Sequence, residues 1–193
     1  GLSVDAYLAP LIDVVEVAPP YRGPALPERC DVWGGVRRPV SYGSGAYDEI
    51  EHYPLAAAST PADLAKHRWP DPDWWDYPGL VGRVAAARAA GDPCLMVTNG
   101  NLFETSWYMR GLEQMLVDAM VDEEMFTAIM TRVTDYYVEF FSKALAAARG
   151  EIDLVFTADD IAGQQGLLMS LPMWEEHIRP CHARLNRVIH DRG

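Results

Sequence analysis

Two adjacent carboxylates, Asp159-Asp160, directly follow the apolar, β-branched run Ile152-Asp153-Leu154-Val155-Phe156-Thr157. A carboxylate just past a strand can take a proton, hold a cation or orient a polar ligand. The loop continues through Ile161-Ala162-Gly163-Gln164-Gln165-Gly166. Its glycines allow close backbone approach to a ligand. The plainer alternative is that one aspartate caps a turn and the glutamines face water. A second polar loop, Thr98-Asn99-Gly100-Asn101, follows the run Cys94-Leu95-Met96-Val97-Thr98 and opens into Phe103-Glu104-Thr105-Ser106-Trp107-Tyr108-Met109-Arg110-Gly111. Asn99, Glu104, Trp107, Tyr108 and Arg110 are therefore candidates for binding in the same place, although Trp107 reads more readily as core. His177 and Cys181, spaced i and i+4, could offer two metal ligands from one helix face. A third is not evident nearby and Pro180 disturbs the helix between them, so no metal site is expected here. Arg37-Arg38 reads as a solvated basic pair. A glycine-rich phosphate loop, a nucleophile elbow and a paired-cysteine zinc motif are all missing from the sequence.

The elements that must position these residues fall into two parts. Residues 1–80 are irregular, rich in proline, glycine and tryptophan; residues 81–193 alternate helix and strand. In the first part, Leu11 to Val17 reads as a strand ended by Pro19-Pro20. Val40 to Ile50 reads as a hairpin about Gly43-Ser44-Gly45. Thr60-Pro61-Ala62-Asp63 starts a helix, and the prolines of Trp69-Pro70-Asp71-Pro72-Asp73 break it. In the second part, the pattern predicts a helix over Leu80 to Ala90, a strand over Cys94 to Thr98 and one helix over Phe103 to Met120. A long helix from Asp122 to Arg149, a strand over Ile152 to Thr157 and a last helix over Leu171 to Arg192 follow. Strands separated by helices imply a parallel α/β sheet, and such sheets place their sites at the carboxyl ends of the strands. That rule selects the two polar loops.

Sixteen basic and 28 acidic residues give a formal charge of −12, which disfavours nucleic acid and anionic membrane surfaces as partners. The sequence contains no apolar run of the roughly 18 residues that spanning a bilayer requires. Three cysteines are too few for a disulfide framework. The chain reads as a cytoplasmic α/β protein.

Several segments together resemble the uroporphyrinogen decarboxylase superfamily of (β/α)8 barrels. They are Asp31-Val32-Trp33-Gly34, Tyr53-Pro54-Leu55-Ala56, Trp69-Pro70-Asp71-Pro72-Asp73, Phe103-Glu104, Arg110-Gly111-Leu112-Glu113, Asp159-Asp160 with Gly163-Gln164, Ser170 to Pro180, and Arg184-Leu185 with Ile189-His190. The resemblance runs along nearly the whole chain. It implies a single partial barrel domain over residues 1–193, an internal piece of a longer enzyme. An open half-barrel of this kind is expected to self-associate or to meet its missing half. The decarboxylases' arginine-rich segment has no match, and the pattern is closer to paralogues of corrinoid-linked methyl transfer. By resemblance Asp160, or Asp159, is the barrel-mouth aspartate, and Tyr108, or Trp107, falls near the decarboxylase tyrosine. Asp160 and Gln164 would position a small-molecule or corrinoid-protein substrate. The resemblance implies no cofactor on this chain; a zinc site built from histidine and cysteine further along would serve the full-length enzyme, with corrinoid as substrate or partner. The alternatives are decarboxylation of a tetrapyrrole carboxylate, or a piece without activity of its own.

Overall fold

The computed structural model describes residues 13–192. Three parallel strands form its sheet: β1 (Val14–Glu16), β4 (Cys94–Thr98) and β5 (Leu154–Phe156), in the order β1-β4-β5. Val14 pairs with Cys94 and Glu16 with Met96; Met96 pairs with Leu154 and Thr98 with Phe156. Side chains alternate across a strand, so this register divides the sheet into two faces. Leu95 and Val97 are fully buried beneath the helices. Met96 and Thr98 share the other face with Val14, Leu154 and Phe156, of which the last three are exposed. Among the described residues the parallel sheet has these three strands and does not close. The expected strand over Leu11 to Val17 appears as β1; Leu11 and Ile12 lie outside the described residues.

The helical layer is α1 (Tyr77–Ala90), α2 (Leu102–Arg110), α3 (Leu112–Val121), α4 (Glu123–Ala148) and α5 (Arg179–Arg192). α4 is its centre and packs against the other four. Its buried Met125, Ile129, Val133, Tyr136, Phe140, Ala144 and Leu145 recur at helical spacing. Asp122 caps it by accepting from the Met125 N–H, and Arg149 ends it in the left-handed conformation. The single helix expected over Phe103 to Met120 is two. Gly111, at φ +95°, closes α2 and opens α3, a turn that a side chain would strain. The last helix is also interrupted. One turn, Leu171–Met173, leads into a π-helical turn, Trp174–Ile178, before α5. The wider turn accommodates Pro180, which has no N–H to give the ladder.

The irregular first part covers the helices. The hairpin forms as β2 (Val36–Ser41) and β3 (Ala46–His52), longer than the turn residues alone indicate. Thr60 opens a 3-10 helix, Pro61–Lys66, where Asp63 accepts from the Thr60 N–H and hydroxyl. Trp33 packs edge-on against Tyr136, and the Trp75 indole donates to the Tyr136 hydroxyl. None of the helices among the described residues is long and apolar enough to cross a membrane.

Candidate functional site

Beyond the carboxyl ends of β4 and β5 lies a cavity of about 360 Å³. Gly100, Thr157 and Asp159 line it from the strand ends, Trp174 from the π-helical turn, and Arg179, His182 and Asn186 from α5. Asp159 organises this wall. Its carboxylate accepts from the Phe103 N–H at 2.7 Å and the Glu104 N–H at 2.6 Å, and lies 2.8 Å from His182 Nε2. The first N–H groups of a helix have no partner within it. Asp159 therefore supplies, from 56 residues away, the cap that Asn101 at the start of α2 does not. Its side chain is 5% exposed, and that of His182 24%.

A second network adjoins the first. Asn99, at the end of β4, holds φ at +126°, a conformation that costs a non-glycine residue on the order of 1–3 kcal/mol. Its Oδ1 accepts from the Tyr137 hydroxyl at 2.8 Å and from the Gly100 N–H at 3.1 Å. Tyr137 is buried, which pushes its hydroxyl up to about 12, and it also meets Thr105 Oγ1 at 3.3 Å. Glu104 accepts from the Asn101 amide and the Tyr108 hydroxyl. Burial first, and Glu104 second, push the Tyr108 hydroxyl up to about 12 as well. Arg37 from β2 lies 4.6 Å above the Tyr108 ring.

Of the expected site residues, the structure brings Asp159 to the cavity wall and leaves Asp160 exposed, with no hydrogen bond among the described residues. A loop does not keep the strand's alternation, so only the local turn decides between the neighbours. Gln164 sits at the exposed tip of the small hairpin β6 (Ala162–Gly163) and β7 (Gly166–Leu167), outside the cavity lining. Arg110 does not reach the strand ends. It is 6% exposed and bound to Asp118, also buried, and to the Leu55 and Ala58 carbonyls. Trp107 packs against Tyr108, and both line a separate cleft under the β2–β3 hairpin with Arg37, Glu49 and Tyr53. Asn99 and Glu104 lie beside the cavity through their contacts with Tyr137 and Asp159.

The sequence reading passed over His182, Arg179, Trp174 and Tyr137. His182 could have been found from its place, a histidine on the helix that follows the aspartate strand. His177 and Cys181 do not form a metal pair: the Cys181 thiol donates to the His177 carbonyl, and the His177 ring faces Glu123 and Glu176. Those last three form the only cluster of metal-ligand type among the described residues, and none of them lines the cavity.

Fold and site together define a mixed α/β protein with a cavity at the carboxyl ends of parallel strands. No protein-family model and no curated protein matches the sequence. Among solved structures, the chain is similar in fold to a methyltransferase from Methanosarcina mazei, with a TM-score of 0.58 and 14% sequence identity. The match covers 96% of this chain and 51% of that one, so the chain spans about half the length of the structure it resembles.

Proposed function

We propose that the chain is part of a (β/α)8 barrel of the uroporphyrinogen decarboxylase superfamily, and that the barrel transfers a methyl group from a corrinoid to a thiol. The observation that carries the reading is the Asp159–His182 pair on the wall of a 360 Å³ cavity beyond the strand ends. That is where parallel α/β folds bind and transform small molecules. The likeness in fold to a methyltransferase supports methyl transfer over other chemistries on the same architecture. In this reading Asp159 is the mouth aspartate and Asn99 and Glu104 shape the adjoining wall.

The described residues do not fit a zinc–thiolate centre. Such a site needs three or four nitrogen and sulfur ligands converging on one point. The cavity offers a single imidazole, already engaged by Asp159, and no thiol. What this chain contributes is substrate positioning and proton handling.

The test incubates the gene product carrying this chain with methylcobalamin and a small thiol, following the thioether formed and the loss of the methyl–cobalt absorbance. Thioether formation in step with methyl–cobalt loss is the expected result. Release of carbon dioxide from uroporphyrinogen without methyl transfer would overturn the reading in favour of the decarboxylase.

A further inference from the structure

Asp159 fixes one nitrogen of His182 and leaves the other open. Nε2 lies 2.8 Å from a carboxylate that also accepts two backbone N–H groups. A carboxylate so surrounded acts as the acceptor, so Nε2 is the donor, and in the neutral ring Nδ1 then holds the lone pair. Nδ1 has no partner among the described residues, and it is not one of the buried polar atoms left without a partner. His182 itself lines the cavity. His182 thus lines the cavity with Nε2 braced by a buried carboxylate and Nδ1 free of any partner among the described residues. An imidazole oriented in this way is equipped to take a proton and to have the resulting charge stabilised.

We propose that His182 is a general base acting on the proton of the methyl acceptor, a role that rests on the methyl-transfer reading. The acceptor is a thiol. Its S–H bond breaks, the proton passes to Nδ1 of His182, and the electron pair stays on sulfur. The sulfur forms the new bond to the methyl carbon while the bond from that carbon to the corrinoid cobalt breaks, its electron pair going to cobalt. Asp159 is the positioning residue: it holds the tautomer and balances the imidazolium. Arg179, on the same wall, is the other charged side chain that lines the cavity. Asp159 is less suited to the base's role, because its oxygens already accept from the α2 N–H groups and the ring.

Two measurements test this on the gene product carrying the chain. Nitrogen-15 NMR of the imidazoles reads the tautomer directly, whatever the protein's activity. The expected spectrum shows His182 protonated at Nε2 in the wild type and loses that preference in Asp159→Asn. The second is methyl-transfer kinetics for His182→Gly and His182→Ala, checked for folding by circular dichroism. General-base catalysis contributes roughly 10²–10⁴-fold, so kcat should fall by about that factor with little change in KM, and added imidazole should restore part of it to the glycine variant. An Nδ1-protonated His182, or variants with undiminished kcat, would overturn the assignment. A wild type with the expected tautomer but no methyl transfer would instead sink the reaction and with it the acceptor named here.

Discussion

Replacing Arg110 separates a ligand-binding role from a structural one. Its guanidinium donates to Asp118 through Nε at 2.8 Å and, from Nη1, to the Leu55 carbonyl at 2.8 Å and the Ala58 carbonyl at 2.6 Å. The two side chains are 6% and 3% exposed. Arg110→Ala would leave the Asp118 carboxylate buried with only the Gln114 amide, and the Ala58 carbonyl without a donor, while the Leu55 carbonyl keeps the Ala58 N–H. Breaking a buried pair from one side costs about 3–5 kcal/mol, against a total stability of roughly 5–15 kcal/mol. At about 2–4 °C per kcal/mol for a chain of this size, the melting temperature should fall by roughly 6–20 °C. Urea unfolding and a thermal melt followed by circular dichroism measure it. The paired variant Arg110→Met with Asp118→Leu removes the orphaned charge and should recover much of the loss. A single variant that melts like the parent but binds substrate more weakly would refute the argument and return Arg110 to the binding site.

Asp160→Asn should stay within about 0.5 kcal/mol of the parent in urea unfolding, as exposed positions do, whereas Asp159→Asn should lose about 0.5–2 kcal/mol with the α2 cap; the reverse order would show that the wrong neighbour has been placed in the wall. Asp153 is held below the usual carboxylate range, first by the Leu95 N–H and then by Arg88. Its stabilisation is present above the ordinary carboxylate value of about 3.9 and disappears as pH falls through the lower folded value, so acid unfolding profiles of Asp153→Asn should lack the part of the acid limb that the parent shows. Among the described residues, the open sheet face, with Val14, Leu154 and Phe156 38%, 43% and 54% exposed, and the unpaired outer edges of β1 and β5 should make the isolated chain self-associate in size-exclusion chromatography; a monodisperse monomer would contradict that.

Much of the fold was legible because its elements carry local signals. β4 is five apolar or β-branched residues between Pro93 and Asn99-Gly100, and α4 has a cap, a helical period and a glycine just past its end. The hairpin strands were underestimated because Arg37-Arg38-Pro39 looks like a polar loop, and a two-stranded ladder is held by backbone groups that polarity does not report. The break at Gly111 was hidden because a lone glycine is tolerated inside a helix. The site was less legible than the fold. Asp159 and His182 meet across 23 residues, and the π-helical turn between them adds a residue to the helix. One added residue turns the following face by about 100°, so spacing counted on a regular helix cannot say which of Cys181 and His182 faces the strand ends.

A carboxylate at a strand end is useful in proportion to what constrains it. Asp160 is exposed and makes no hydrogen bond among the described residues, so nothing in the fold orients it. Asp159 is held by three hydrogen bonds, two of them on a helix terminus, so its orientation is fixed and little of its acceptor capacity is left for a ligand. Between these extremes is the group that is fixed on one side and open on the other. His182 meets that condition, anchored through Nε2 and lining the cavity, with Nδ1 unpartnered among the described residues. Asn99 meets it in backbone form, its strained φ held by the buried Tyr137 hydroxyl while the residue itself stays exposed. The cost of that strain, on the order of 1–3 kcal/mol, is sustainable only because Tyr137 is sealed between α2 and the Trp33 ring. The apolar core under α4 thus does more than stabilise the chain: it provides the rigidity that keeps the polar groups at the strand ends from relaxing into ordinary geometry.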